Sequence, residues 1–294
     1  MGFTRLRAPS IPIFALLAIS GGIVPVFGQT APESPAELIQ KAVDHEIEAT
    51  SATAKFMFTD RKETPHGSQT ELLIETNDAM AGRVIAINEK PLTAEQCRAE
   101  DGRLARLLNN PDELRKKQKS EKEDSERVDR IMRALPTAFL YEPDGAEIGS
   151  QSAGKPGDPL ERLKFHPNPK YHPPSRVEQV LVGMQGSVAI DAKQHRIARI
   201  DGTLVREVSF GWGILGHLDK GGHFFVEQAD VGQGRWEITR MDLSFTGKIL
   251  LIKSLNIKSD EVFSGFRPAP PNLTFAQGVE LLKKEAAEWA EKHR

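Results

Sequence analysis

The chain has 294 residues, with 39 Lys+Arg against 41 Asp+Glu, a formal net charge of −2 and 39% hydrophobic residues. That balance leaves no cationic surplus to neutralise phosphates and excludes nucleic acid as an expected partner. The single cysteine, Cys97, excludes an internal disulfide framework, so stability must come from packed apolar faces.

The first element in chain order is a leader. Arg5 and Arg7 precede an uncharged apolar run, Ile11 to Val26, and Val26-Phe27-Gly28 has the small-residue spacing of a signal-peptidase site. Residues 1–28 are expected to be a signal peptide and residues 29–294 a soluble, exported, single α+β domain of the periplasm. Loss of the two arginines leaves a mature chain of about 266 residues and about −4 net charge. The alternative, a retained membrane anchor, meets Pro12, Gly21, Gly22 and Pro25 inside the run, which falls short of the ~20 apolar residues a spanning helix needs. After cleavage no transmembrane segment is expected.

Ser34-Pro35-Ala36-Glu37 starts a helix, with Ser34 as N-cap, Pro35 in the first turn and Glu37 closing a capping box. Leu38, Ile39, Ala42, Val43 and Ile47 share one helical face. Strands are predicted at Thr53–Lys62, Thr70–Asn77 and Arg83–Asn88, with turns at Thr64-Pro65-His66-Gly67 and Ala81-Gly82. Thr93 with Gln96 caps a helix to about Leu108, and Asn110-Pro111 restarts one that continues to about Leu135.

Within this helical insertion, residues 93–135, the segment Asp112–Arg130 has fourteen charged residues in nineteen, seven of each sign. Pairs such as Glu123 with Arg127 lie at i,i+4 and contribute ~0.3 kcal/mol each. Apolar stripes occur only at the ends, at Leu104, Leu107 and Leu108, and at Val128, Ile131, Met132 and Leu135. The pattern is that of a solvated arm; a docking handle for an envelope protein partner, through residues 112–130, is the functional alternative.

Residues 143–175 are rich in Pro, Gly and Ser and read as loop and linker, with one strand at Leu160–Phe165. A second β region follows, with strands near Val177–Val182, Gly186–Ile190, Arg196–Ile200, Gly202–Phe210, His223–Ala229, Arg235–Phe245 and Lys248–Lys258. Asp191-Ala192-Lys193-Gln194 and Phe245-Thr246-Gly247-Lys248 are hairpin turns on this reading, giving an antiparallel meander. Thr274 and Gln277 cap a last helix with Val279, Leu282 and Ala286 on one face.

Few residues suggest chemistry. Gly211-Trp212-Gly213-Ile214-Leu215-Gly216 matches a dinucleotide fingerprint, but Gly221-Gly222 interrupts the helix that the fingerprint requires, so a tight bend is expected and no nucleotide. His166, His172, His217 and His223 lie in expected loops without metal-ligand spacing, and no G-x-S-x-G elbow accompanies Ser175, Ser187 or Ser209. A pair of carboxylates separated in sequence remains the route to a hydrolase. No catalytic residue, cofactor or metal is assigned.

Large apolar residues recur with strand periodicity at Val188, Ile190, Trp236, Ile238, Leu243, Phe245, Ile249, Leu251, Leu255 and Ile257. A sheet curved around helices either fills that face as an ordinary core or leaves a gap for acyl chains. In the second case Trp212, Trp236, Ile238, Phe245 and Leu251 are the candidate cavity residues.

Three segments carry a family resemblance: Gly186-Ser187-Val188-Ala189-Ile190-Asp191, Arg196-Ile197-Ala198-Arg199-Ile200-Asp201-Gly202, and Val231-Gly232-Gln233-Gly234-Arg235-Trp236-Glu237-Ile238-Thr239-Arg240. With their strand ending in Asp, basic return strand and G-x-W-x-x-x-R strand, residues 176–258 resemble the periplasmic lipoprotein-carrier superfamily, the outer-membrane lipoprotein-sorting proteins and their relatives. The resemblance implies a strongly curved antiparallel sheet, an unclosed β-barrel, with helices in its concavity and an apolar cavity that shields lipid or lipoprotein acyl chains. The arm and the Pro-rich segment are longer than that family's connections. A non-catalytic envelope carrier is the leading expectation, with an interaction or sensing protein of filled core as the alternative.

Overall fold

Local capping chemistry sets the helix boundaries. In the computed structural model, which describes residues 33–49, 55–211, 215–232, 234–249 and 253–293, helix α1 spans Pro35–Ala49. The Glu37 amide donates to Ser34 Oγ (3.3 Å) and the Ser34 amide donates back to the Glu37 carboxylate (2.9 Å), a reciprocal cap. Helices α2 (Ala94–Asn109) and α3 (Pro111–Ala138) share Asn110. Its amide closes α2 on the Arg106 carbonyl (2.9 Å), while its side-chain oxygen accepts the Asp112 and Glu113 amides of α3. Helix α4 (Phe275–Lys292) opens with a Thr274/Gln277 capping box. The leader, residues 1–28, lies outside the described residues.

The strands are β1 (Phe56–Thr64), β2 (Gly67–Glu75), β3 (Met80–Ile87), β4 (Lys90–Pro91), β5 (Phe139–Ile148), β6 (Pro159–Pro167) and β7 (Met184–Asp191). They continue as β8 (Arg196–Leu204), β9 (Val208–Phe210), β10 (Gly216–Leu218), β11 (His223–Asp230), β12 (Trp236–Ile249) and β13 (Lys253–Pro268). Every pairing of named strands is antiparallel, in the order β4-β3-β2-β1-β13-β12-β11-β8-β7-β6-β5, with the β9–β10 hairpin attached to β12. The two end strands, β4 and β5, do not pair, so this α+β sheet is not closed. Residues Ser34–Arg294 form one compact unit, and no helix among the described residues is long and apolar enough to cross a membrane.

Two large apolar clusters lie along this sheet, beside a small one of Leu160, Ala189, Ala198 and Trp236. One joins Leu38, Ile39, Ala42 and Val43 of α1 and Leu135 and Ala138 of α3 to β5–β8. The other joins Leu104 of α2 and Val279 and Leu282 of α4 to β1–β3, and all three of these residues are fully buried. Each such side chain contributes ~2 kcal/mol through removal from water. Helix α4 approaches β2 closely because residue 278 is glycine: a Cβ there would lie 2.7 Å from Thr76 Cγ2 and 3.2 Å from Ile74 Cγ2.

Several sequence expectations need correction. Ala81-Gly82 is not a turn but the interior of β3; the turn is at Thr76–Ala79, where Thr76 Oγ1 accepts the Asp78 and Ala79 amides. Val177–Val182 is no strand: Glu178–Gly183 is a 3-10 helix, preceded by a Ser175 hydroxyl that accepts the Val177 amide. Gly202 belongs to the single strand β8 rather than starting a new one. Phe245–Lys248 is not a hairpin turn, because β10 pairs alongside β12 there, and a Cβ on Gly247 would lie 2.1 Å from the His217 carbonyl oxygen.

The segment read as loop and linker, residues 143–175, holds more structure than its composition suggests. Strand β5 runs through Pro143 to Ile148, with a register shift between Pro143 and Ala146 that accommodates the proline on the sheet edge. The connection to β6 folds back onto the sheet, where the Gly154 amide donates to the Gln228 carbonyl (2.8 Å) and Ala153 is buried.

Candidate functional site

An apolar cavity of about 320 Å³ lies where β5–β8, β11 and β12 face α1, the end of α3 and the 3-10 helix. Phe165 of β6 and Phe224 of β11 line it, and Gly186 of β7 and Gly202 of β8 stand in register between them. Neither glycine can be replaced cheaply. A Cβ on Gly186 would lie 1.8 Å from the Asp201 carbonyl oxygen, and one on Gly202 would lie 2.9 Å from Met184 Sδ. Both glycine positions are thus closed by neighbours, the Asp201 carbonyl at one and the Met184 side chain at the other, and the strands pack closely there.

Across the cavity stand Ile39 of α1, Ile131, Met132 and Leu135 of α3, and Val180 and Leu181 of the 3-10 helix. Val128 marks the rim: it lines the cavity and is still 62% exposed, an apolar residue on an otherwise charged stretch of helix. The Tyr141 hydroxyl, the polar atom of one wall residue, donates to the Leu135 carbonyl (2.8 Å), and burial pushes its pKa up, so it stays neutral. The volume is about twice the ~150 Å³ of an apolar cavity that stays dry and admits benzene.

A second cavity of about 390 Å³ adjoins the first, and Val128, Met132, Ile200 and Phe224 line both. Its walls are mostly apolar but carry charged side chains. Glu46, near the end of α1, accepts from Arg196 Nε (2.9 Å) and Nη2 (2.7 Å), from the Ile197 amide (2.9 Å) and from Gln228 Nε2 (2.6 Å). The Arg196 guanidinium lies 5.4 Å from the centre of the Trp236 ring. Burial raises the Glu237 pKa against the opposing pull of its ion-pair partner Arg235. A buried pair of this kind adds little net stability, but it holds its charges in a fixed geometry.

The residues expected to line a cavity separate between these two spaces. Phe245 lines the first; Trp236, 6% exposed, and Ile238, 40% exposed, line the second. Trp212 and Leu251 lie outside the described residues. The ten-residue apolar face does not form as one surface, since Ile249 and Ile257 are each 40% exposed. Strand β12 also carries a bulge at Thr239, where Glu227 pairs with Arg240 and Gln228 with Ile238. The extra residue shifts the alternation by one, so Trp236 and Ile238 before it and Met241 and Phe245 after it all reach the cavities. Strict alternation therefore misses Met241. It also has no means of finding the α1, α3 and 3-10 residues of the opposite wall, of which the helical stripes Leu38–Ile47 and Val128–Leu135 are visible in sequence.

Of the histidines, His166 lies on β6, His217 on β10 and His223 on β11 rather than in loops. Among the described residues, Glu207, His217 and Asp219 bring ligand-type atoms within 4.8 Å of one another. These carboxylates already accept the hydroxyls of Ser209 (3.0 Å) and Thr246 (2.7 Å), so hydrogen bonding within the chain accounts for the grouping.

No family model matches the chain, and no curated protein matches it. Among solved structures it is similar to a DUF1329 family protein from Desulfovibrio piger, at 11% identity and a TM-score of 0.28, covering 85% of this chain and 100% of that one. It is also similar to MucB, solved in complex with MucA(peri), at 9% identity and a TM-score of 0.23, covering 81% of this chain and 100% of that one. At these scores function is read from the cavities themselves.

Proposed function

We propose that this chain is an exported, non-catalytic binding or carrier protein of the cell envelope, which takes the acyl chain of a lipid or lipoprotein into the apolar cavity between β5–β8 and the helices α1 and α3. The observation that supports this reading is a space of about 320 Å³ enclosed by hydrocarbon and reaching the surface at Val128. Burying about 200 Å² of acyl surface there contributes ~5 kcal/mol, enough for useful affinity without a reacting group. In this reading the leader 1–28 directs export, and the helices lie in the concavity of a curved sheet. The polar atoms of the wall are either at the rim, as with Arg127, or engaged, as with the Tyr141 hydroxyl.

Displacement of cis-parinaric acid from the purified protein, with native mass spectrometry for co-purified lipid, tests this reading. One saturable site is expected, and Val180→Phe, which places a ring in the cavity, should weaken binding at least tenfold. Absence of probe binding by protein extracted free of lipid would overturn it.

A further inference from the structure

Resting on the carrier reading, the second cavity specifies the other end of the ligand: we infer that the bound amphiphile has a head with no net charge, zwitterionic or uncharged, seated against Arg196, Trp236 and Glu237. The two cavities share four lining residues, so a molecule whose chain fills the first places its head in the second, where the charged side chains are. Three guanidiniums and three carboxylates line that space: Arg196, Arg199 and Arg235 with Glu46, Asp129 and Glu237.

Each cation there already has a protein anion. Arg196 is held by Glu46 at 2.7 Å; Arg199 by Glu147 at 2.6 Å and Glu227 at 2.9 Å; Arg235 by Glu237 and, at 3.7 Å, by Glu75. Asp129 in turn pairs with Arg133 at 3.1 Å. An anionic head would have to displace a carboxylate or sit beside one, and a cationic head would meet the guanidiniums in the same way; like charges brought together in a partly desolvated site are costly. A head of balanced charge can align its dipole with the fixed pairs and use the side chains of Ser125 and Gln228 for hydrogen bonds.

Matched twelve-carbon probes test the inference by displacement of cis-parinaric acid: dodecylphosphocholine, dodecyl maltoside, laurate and dodecyltrimethylammonium. Dodecylphosphocholine or dodecyl maltoside should bind at least tenfold more tightly than either charged probe. Glu237→Gln, which removes a carboxylate from Arg235, should narrow the gap to laurate about fivefold or more. Glu46→Gln should do the same at Arg196; because Glu46 also holds the Ile197 amide, its folding is checked by circular dichroism. Equal affinity for all four heads, or a preference for laurate in the unmodified protein, overturns the head-group inference while leaving the acyl cavity standing. Failure of every probe, cis-parinaric acid included, overturns the carrier reading as well.

Discussion

The two ends of the sheet are covered in opposite ways by similar materials. At the β1–β3 end, α4 is brought against the strands by Gly278, and Leu282 and Val279 are fully buried between them. At the β5–β8 end a space of about 320 Å³ remains between the strands and the helices α1 and α3. The difference lies in how closely helix and sheet approach rather than in how apolar the residues are, since both clusters are comparably rich in Leu, Ile and Val.

The sharpest way to break this contrast is to put the same ring into both ends. Val279→Phe should destabilise the protein by about 2 kcal/mol through overpacking, whereas Val180→Phe should change stability by less than about 0.5 kcal/mol because space awaits it. Urea denaturation of the two variants measures the difference, and equal losses would show that the cavity at Val180 is not free volume.

A smaller effect is expected on β1, where Asp60 stands opposite Glu71 and near Glu261. Burial first, and then these two carboxylates, raise its pKa from 3.8 to about 6. A raised folded-state value means that the proton is bound more tightly in the folded chain, so this contribution is complete below pH 4 and is lost as pH rises through 6. Asp60→Asn should therefore stabilise the protein at pH 7.5 by on the order of 1 kcal/mol, after allowance for partial solvent access, and by progressively less toward pH 4. Denaturation midpoints across that range that run parallel for the two proteins would count against it.

The least effect is expected on the arm. Its charges pair along the helix, as in Arg127 with Glu123 at 3.7 Å and Lys117 with Glu121 at 2.8 Å, on mostly exposed side chains. Glu123→Gln should shift stability by less than about 0.5 kcal/mol, and added salt should erase the difference. A larger loss would mean that the arm is tied to one of the two ends more firmly than its exposed pairs indicate.

Much of the scaffold was legible along the chain because its signals are local. The capping boxes at Ser34, Thr93 and Thr274 operate over four residues, and the Asp191–Gln194 turn is held by Asp191 Oδ1 accepting the Lys193 and Gln194 amides. The apolar stripe Val128–Leu135 was likewise visible, although not what it would face. Tertiary structure alone decided the rest. The pairing of β1 with β13 joins segments about two hundred residues apart, the bulge at Thr239 reverses which residues look inward, and the glycine row becomes a row only when four strands come into register. Helix ends and turns are set by hydrogen bonds between near neighbours, which composition and spacing reveal. A cavity is set by the side chains that fail to meet across the fold, and that depends on register and approach distance, which a single strand's sequence does not contain.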